Sequence, residues 1–232
     1  MAEKILSREV LARNLDAVIQ RIEAARIKVD EHHIVRMVVV SKYTALENIA
    51  TLYDLGQRAF GENQVQQLAE RMEALEDLPL EWHMIGRLQK NKINKLIDCD
   101  PFLLQSLDSL ELAEALDKRL EAKDKTMECL LQINSAREAT KAGVDPDVAV
   151  ETYREIAERF PRIDLRGVMT IGAHTEDREI VRRSFETTRR IFDDLQSDGA
   201  EICSMGMSGD FELAIECGST MVRIGSALFR DD

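Results

Sequence analysis

The feature that most constrains this chain is an alternation between short apolar runs and amphipathic stretches, repeated eight times. Each apolar run has the length of a β-strand, and each amphipathic stretch shows helical periodicity. The runs begin about 20 to 37 residues apart, as repeated β-α units with a parallel sheet require. They start near Met37, Arg58, Trp82, Phe102, Glu128, Leu165, Glu201 and Met221.

Helices are predicted between these strands, over residues 46–56, 64–75, 92–97, 109–122, 147–159, 177–195 and 210–217. An extra N-terminal helix is predicted over 6–27, where Leu11, Leu15 and Val18 recur at helical spacing. Eight units in one series predict a single (β/α)8 TIM barrel. The alternative is an open doubly wound sheet, but its GxGxxG first turn is missing. We therefore predict one domain over 1–232, with a helical segment at 1–35 and the barrel at 36–230.

Composition narrows the possible partners. The formal net charge of -12 argues against a general nucleic-acid binder, which needs clustered Lys and Arg. No apolar run approaches the roughly 20 residues of a membrane helix, and the N-terminus lacks the apolar middle of a signal peptide. The four cysteines form no CxxC pair, and the four histidines show no metal-binding spacing. We expect a cytoplasmic protein with reduced thiols, no metal, no membrane partner and no nucleic-acid partner.

A lysine stands where the first predicted strand ends. The apolar run 37–40 is followed directly by Ser41 and Lys42. An amine at the end of a buried strand is placed to hold a carbonyl compound as a Schiff base. The simpler interpretation is that the lysine marks where the strand meets water, and the strand alone favours it.

Polar residues and glycines also follow the other strands, where the loops of this fold carry its chemistry. The last two segments, 204–210 and 222–228, bring hydroxyl and backbone N–H groups to the place where barrels often bind phosphate. Ser208 could also cap the following helix, and the two roles are compatible because helix N-termini bind anions. A lysine with a phosphate site predicts a ligand that carries both a carbonyl and a phosphate. Pyridoxal 5'-phosphate (PLP) fits, as does a sugar phosphate in a Schiff-base aldolase.

One family shares these segments in the same order, between about residues 36 and 229. The segments are 40–42 (VSK), 60–63 (FGEN), 83–92 (HMIGRLQKNK), 133–134 (IN), 141–143 (KAG), 166–169 (RGVM), 204–208 (SMGMS) and 222–227 (VRIGSA). In this combination the chain resembles the PLP homeostasis proteins, also described as YggS-like or proline-synthetase-co-transcribed. Two departures are Tyr43, where a small or polar residue is more usual, and Cys203 before the serine of SMGMS.

The resemblance implies a barrel of the alanine-racemase N-terminal type, with PLP bound as a Schiff base to Lys42. It implies that Ser208, Gly225 and Ser226 hold the phosphate and that Arg223 faces the pyridine nitrogen. It places Asn63 and Met207 as near neighbours of the cofactor, with His83 and Asn134 as further candidates.

The implied chemistry favours binding over catalysis. A lysine must be neutral to attack an aldehyde, and burial of Lys42 would favour that form. A guanidinium stays protonated, so Arg223 would keep the pyridine nitrogen unprotonated and the ring a weak electron sink. The sequence also ends after the eighth strand, without the second β domain that supplies a tyrosine base and the dimer surface in the racemases.

Three functions follow from these arguments. The leading hypothesis is a non-catalytic protein of vitamin B6 metabolism that holds, buffers or delivers PLP to PLP-dependent apoenzymes, as a monomer or weak dimer. The second is a PLP-dependent amino-acid racemase with His83 as a conceivable second base. The third is a sugar-phosphate aldolase that uses Lys42.

Overall fold

Eight parallel strands close into a barrel in this computed structural model, which describes residues 4–138 and 141–231. Each strand pairs with the next along the chain, and the last pairs with the first. The strands are β1 (Arg36–Val40), β2 (Ala59–Glu62), β3 (Glu81–Met84), β4 (Leu103–Leu107), β5 (Met127–Ile133), β6 (Ile163–Thr170), β7 (Ile202–Ser204) and β8 (Met221–Ile224). The predicted barrel is confirmed, and the open sheet is wrong.

Eight α-helices accompany the strands within the described residues. They are α1 (Arg8–Arg26), α2 (Leu46–Asp54), α3 (Val65–Ala74), α4 (Ile93–Cys99), α5 (Leu110–Ala122), α6 (Ala149–Arg159), α7 (Arg178–Leu195) and α8 (Phe211–Glu216). Every predicted helix is present, with ends shifted by no more than two residues. Of the predicted domain 1–232, residues 1–3, 139–140 and 232 lie outside the described part.

The first helix precedes the barrel and covers one side of it. Ser7 caps it, because the serine hydroxyl accepts a hydrogen bond from the backbone N–H of Val10. Its apolar stripe includes Leu11 and Leu15, which are buried, and the helix lies against α8 and α2. The helix thereby covers the side of the barrel next to the join between β1 and β8.

The apolar core has two parts. The larger lies between the strands and the surrounding helices, as the alternation of apolar runs requires. The smaller fills part of the barrel interior with five side chains from different strands: Val38, Leu103, Leu130, Met169 and Met221. The interior is therefore packed like a core, and the loops at the carboxyl ends of the strands are left to form a binding site.

Two kinds of feature are absent from residues 4–138 and 141–231. None of the helices in these ranges combines the length and the apolar character that crossing a bilayer demands. In the same ranges, no three His, Cys, Asp or Glu side chains are grouped as metal ligands would be.

Candidate functional site

Lys42 lies in a turn that rises from the carboxyl end of β1. Ser41, directly after the strand, is buried, and its N–H donates to the carbonyl of Gly61. Thr44 N–H then donates to the carbonyl of Ser41, which closes the turn around Lys42. The side chain of Lys42 is exposed, with its Nζ 5.8 Å from the ring centroid of Tyr43. The expected burial of Lys42 is therefore wrong, because the turn lifts the amine out of the barrel interior to its mouth.

A buried ion pair lies directly beneath this turn, and sequence reasoning missed it. Glu62, the last residue of β2, and Arg71, on α3, are both buried, with Arg71 Nε 3.3 Å from Glu62 Oε1. Ser41 Oγ donates to the same Glu62 oxygen at 2.6 Å. The buried position of Arg71 could not be predicted from residue type, because a helical arginine usually faces solvent. The only available signal was its position on the apolar stripe of α3 with Val65 and Leu68.

On the far side of the join between β8 and β1, two backbone N–H groups converge on one oxygen. Ser208 Oγ accepts from Gly225 N at 3.1 Å and from Ala227 N at 3.4 Å. Ser226, between them in the chain, is exposed. Convergent N–H groups of this kind form a site for an anion. The predicted role of Ser208 as a helix cap is wrong, since Asp210 is the N-cap of α8 and Ser208 bonds the loop after β8.

Arg223 on β8 lies inside the barrel. It is 4 % exposed, its Nη1 donates to Ser204 Oγ at 2.6 Å, and its Nη2 donates to the carbonyl of Thr170 at 2.8 Å. Burial lowers the pKa of Arg223 to about 10, with the Asp210 carboxylate opposing the shift. The guanidinium is therefore charged at neutral pH and is enclosed by the barrel, away from the protein surface.

A chain of hydrogen bonds continues from Arg223 across the barrel interior. Ser204 Oγ donates to Gln105 Oε1 at 2.7 Å, and Gln105 Nε2 lies 3.0 Å from His83 Nδ1. The His83 ring is fully buried, 5.5 Å from the ring of Phe102, which precedes β4. Burial and the charge of Arg36 lower the pKa of His83 to about 3, so it is neutral at pH 7. His83 belongs to the barrel interior and is poorly placed to exchange protons at the mouth.

The remaining site residues predicted from the sequence lie in the loops after other strands. Asn63, after β2, has a buried Oδ1 with no hydrogen-bond partner in the structure. Met207, after β7, is 40 % exposed, and its N–H donates to Asp210 Oδ1 at 2.6 Å. Asn134, after β5, uses its amide within its own loop, donating to the carbonyl of Glu138 at 2.9 Å. Asn63 thus retains a free acceptor, whereas Asn134 is already engaged.

Strand pairing brings Lys42 close to the two N–H groups that converge on Ser208. Strands β1 and β8 are neighbours, with Val39 opposite Ile224. Gly225 follows so closely that a Cβ added there would lie 3.3 Å from the Cβ of Val40. The amine after β1 and the N–H donors after β8 therefore share one end of the barrel, on adjacent strands.

Comparison with known proteins agrees with this architecture. The family model for the alanine racemase N-terminal domain matches residues 13–232. The chain is 52% identical over 217 residues to the pyridoxal phosphate homeostasis protein of Helicobacter pylori strain J99, covering 94% of this chain and 97% of that protein. It is 35% identical to the human protein of the same name, over 84% of this chain and 75% of that one.

Solved structures extend the similarity. PipY of Synechococcus elongatus, determined with PLP bound, superposes with a TM-score of 0.80 at 29% identity and covers 95% of this chain and 100% of that one. Alanine racemase of Clostridium difficile shares the fold alone, with a TM-score of 0.75 at 18% identity over 94% of this chain and 59% of that one. The resemblance in the sequence motifs is confirmed: the chain belongs to the pyridoxal phosphate homeostasis protein family, on the barrel of the alanine racemase N-terminal domain.

Proposed function

We propose that this protein binds PLP covalently at Lys42 and holds, buffers or delivers it without turning over a substrate. The observation that carries the proposal is the pairing of an accessible lysine amine with convergent N–H donors on adjacent strands. When PLP is bound, it supplies an aldehyde that condenses with an amine and a phosphate that needs hydrogen-bond donors.

The residues present fit this cofactor. In the structure, the Ser208 hydroxyl oxygen occupies the acceptor position for Gly225 N–H and Ala227 N–H. We assign the phosphate to these groups with Ser226, because a phosphate oxygen is a stronger acceptor than a hydroxyl. Asn63 Oδ1, buried without a partner, is a free acceptor near the lysine side of the site. Met207 completes the set as an exposed neighbour of Ser208.

Arg223 supports a holding role over a catalytic one. We assign it to the pyridine nitrogen, where its positive charge would disfavour protonation of that nitrogen. The ring would then stabilise a carbanion poorly, as suits a carrier. The racemase alternative also needs a second base, and His83 is buried, neutral and bonded to Gln105.

The first test is spectroscopic. The purified protein, incubated with PLP, should show the visible absorption band of a lysine-bound pyridoxal, and borohydride should fix its mass on the peptide that contains Lys42. Lys42→Ala should lose both signals, and Lys92→Ala, which removes another exposed lysine after β3, should keep both. A wild-type protein that stays colourless with added PLP would refute the proposal.

The second test addresses turnover and delivery. The PLP-loaded protein, incubated with each amino acid in D2O, should show no exchange at Cα beyond that of free PLP. Enzymatic exchange would restore the racemase alternative. The same loaded protein should reactivate a PLP-dependent apoenzyme of the cytoplasm, and borohydride-reduced protein should not, since its PLP can no longer leave.

A further inference from the structure

The buried ion pair of Glu62 and Arg71 beneath the Lys42 turn carries a large desolvation cost. Glu62 is 0 % exposed and Arg71 is 4 % exposed. Burying two charges costs several kcal/mol per ion before their mutual attraction offsets it, and an apolar pair of similar size is often as stable. Stability by itself therefore gives a weak reason for an ion pair under a binding site.

The outward hydrogen bonds of the pair suggest what it does. On one side, Glu62 Oε1 accepts from Ser41 Oγ at 2.6 Å. On the other side, Arg71 Nη2 donates to the carbonyl of Thr44 at 2.7 Å. Ser41 and Thr44 bracket Lys42 in the chain, so the pair holds the turn from both ends.

The turn also needs such support. Tyr43 has a backbone φ of 66°, in the left-handed region that costs a tyrosine about 1–2 kcal/mol. Thr44 is held a second time, since Asn48 Nδ2 donates to Thr44 Oγ1 at 2.9 Å. A strained turn persists only where its surroundings fix it.

We propose that Glu62 and Arg71 are positioning residues for Lys42. They hold the turn 41–44 so that the amine stays where an aldehyde arrives. This inference rests on the proposed function, and it concerns the rate and stability of attachment at Lys42. Neither residue needs to touch the cofactor.

The experiment separates attachment from phosphate binding. Glu62→Gln, Arg71→Lys and Ser41→Ala are compared with wild type by stopped-flow measurement of the rate at which the visible band appears with PLP. The affinity for 4'-deoxypyridoxine 5'-phosphate, which has the phosphate but no aldehyde, is measured beside it. The control is Arg166→Lys. Arg166 pairs with Glu128 on β5, Asp164 on β6 and Glu201 before β7. A change there can lower stability without touching the turn 41–44.

Attachment in Glu62→Gln and Arg71→Lys should slow by about tenfold or more, since small misplacements of a reacting group cost up to about a hundredfold. Affinity for the aldehyde-free analogue should stay at the wild-type value. Ser41→Ala should show a smaller slowing in the same direction, and it serves if the charged variants fail to fold. Arg166→Lys should keep the wild-type rate.

Three outcomes would overturn the inference. Wild-type attachment rates in Ser41→Ala and in the folded charged variants would show that the pair is purely structural. Equal losses for PLP and for the analogue would show a general collapse of the barrel mouth. A wild-type protein that never develops the band would overturn the proposed function, and the positioning role with it.

Discussion

The two halves of the barrel mouth are held together by different kinds of polar group. The lysine half, formed by the loops after β1 and β2, rests on buried side-chain charges of opposite sign, Glu62 and Arg71. The cradle half, formed by the loops after β7 and β8, offers backbone N–H groups at Gly225 and Ala227 around one serine hydroxyl. Its buried charge, Arg223, is hydrogen-bonded to neutral oxygens.

From this difference we infer a separate task for each half. The opposite charges of Glu62 and Arg71 cancel and add little long-range field, so this pair can fix geometry without itself attracting or repelling a ligand. A buried guanidinium bonded to neutral groups keeps its positive charge, which the Asp210 carboxylate partly offsets. The N–H groups of Gly225 and Ala227, gathered on the Ser208 hydroxyl, add convergent donors. We therefore propose that the cradle half is the part of the mouth that binds an anion, although the chain as a whole carries a formal net charge of -12.

The largest expected effect comes from Gly86, in the loop after β3, which packs against the backbone of Asn63 in the lysine half. A Cβ at this position would lie 2.1 Å from the carbonyl oxygen of Asn63, and the three nearest atoms all belong to the Asn63 backbone. Gly86→Ala should therefore lower the free energy of unfolding by about 3 kcal/mol, at the upper end for overpacking. Urea unfolding measures this. Gly209→Ala, in the cradle half, is the matched control, because its Cβ would meet no atom within 4 Å. A stable Gly86→Ala protein would show that the two loops can separate freely.

The next effect concerns His83, at the far end of the hydrogen-bonded chain from Arg223. Its pKa is about 3 in the folded protein, against 6.5 for an ordinary histidine. The unfolded chain therefore binds a proton that the folded protein refuses as the pH falls below about 6.5. The contribution of neutral His83 to the free energy of unfolding is complete above that pH. It is lost progressively as the pH falls toward 3. We expect a loss of about 2 kcal/mol between pH 7 and pH 5.

Urea unfolding at several pH values checks the contribution of His83. His83→Gln should flatten the acid slope relative to wild type, since glutamine does not titrate. His32→Gln, at an exposed histidine, should leave the slope unchanged. If His83→Gln also leaves the slope unchanged, the buried ring is already protonated or open to water in the folded protein.

A smaller effect should distinguish the two halves by the ligand whose affinity each one controls. Ser208→Ala removes the hydroxyl that gathers two N–H groups, and hydrogen bonds to charged groups are worth about 1.5–3 kcal/mol. Its affinity for PLP and for 4'-deoxypyridoxine 5'-phosphate should fall together, by about tenfold. Lys42→Ala should weaken PLP and spare the analogue. Calorimetric titration of both variants with both ligands tests this. Loss of PLP affinity alone in Ser208→Ala would contradict the assignment of the cradle to the phosphate.

Much of the fold could be predicted because the alternation of strands and helices is local. The run 37–40 and the stripe of Leu11, Leu15 and Val18 report their own structure through spacing alone. The barrel followed because eight units in series leave few other arrangements. Pairs between distant residues carry no such local signal. The contact of Arg71 with Glu62, nine positions away on another element, depends on how α3 packs against the barrel end.

The candidate site shows the same limit. Sequence reasoning placed Lys42 and the 204–208 and 222–227 segments at one end of the barrel, because strand ends in a parallel sheet coincide. It gave Lys42 the wrong exposure, since a tight turn after the strand cannot be seen from residue types. It flagged Tyr43 as unusual without a reason. The structure supplies one, because Tyr43 has a φ of 66°, where glycine or asparagine is more comfortable.

The smallest expected effect concerns Tyr43. It tests whether the strained backbone of this residue helps to position Lys42. Tyr43→Gly should raise the free energy of unfolding by about 0.5–1 kcal/mol, because glycine adopts a positive φ without a steric penalty. Attachment of PLP should nevertheless slow, since a glycine beside Lys42 lets the turn sample more conformations than the tyrosine does. Asp124→Gly, at another exposed residue with a φ of 50°, is the control and should leave attachment unchanged. Thermal unfolding and stopped-flow attachment, measured on the same samples, give both quantities. If Tyr43→Gly is more stable and attaches PLP at the wild-type rate, the bonds to Ser41 and Thr44 hold the turn unaided. Rigidity in the lysine half would then lie wholly in the buried pair beneath it.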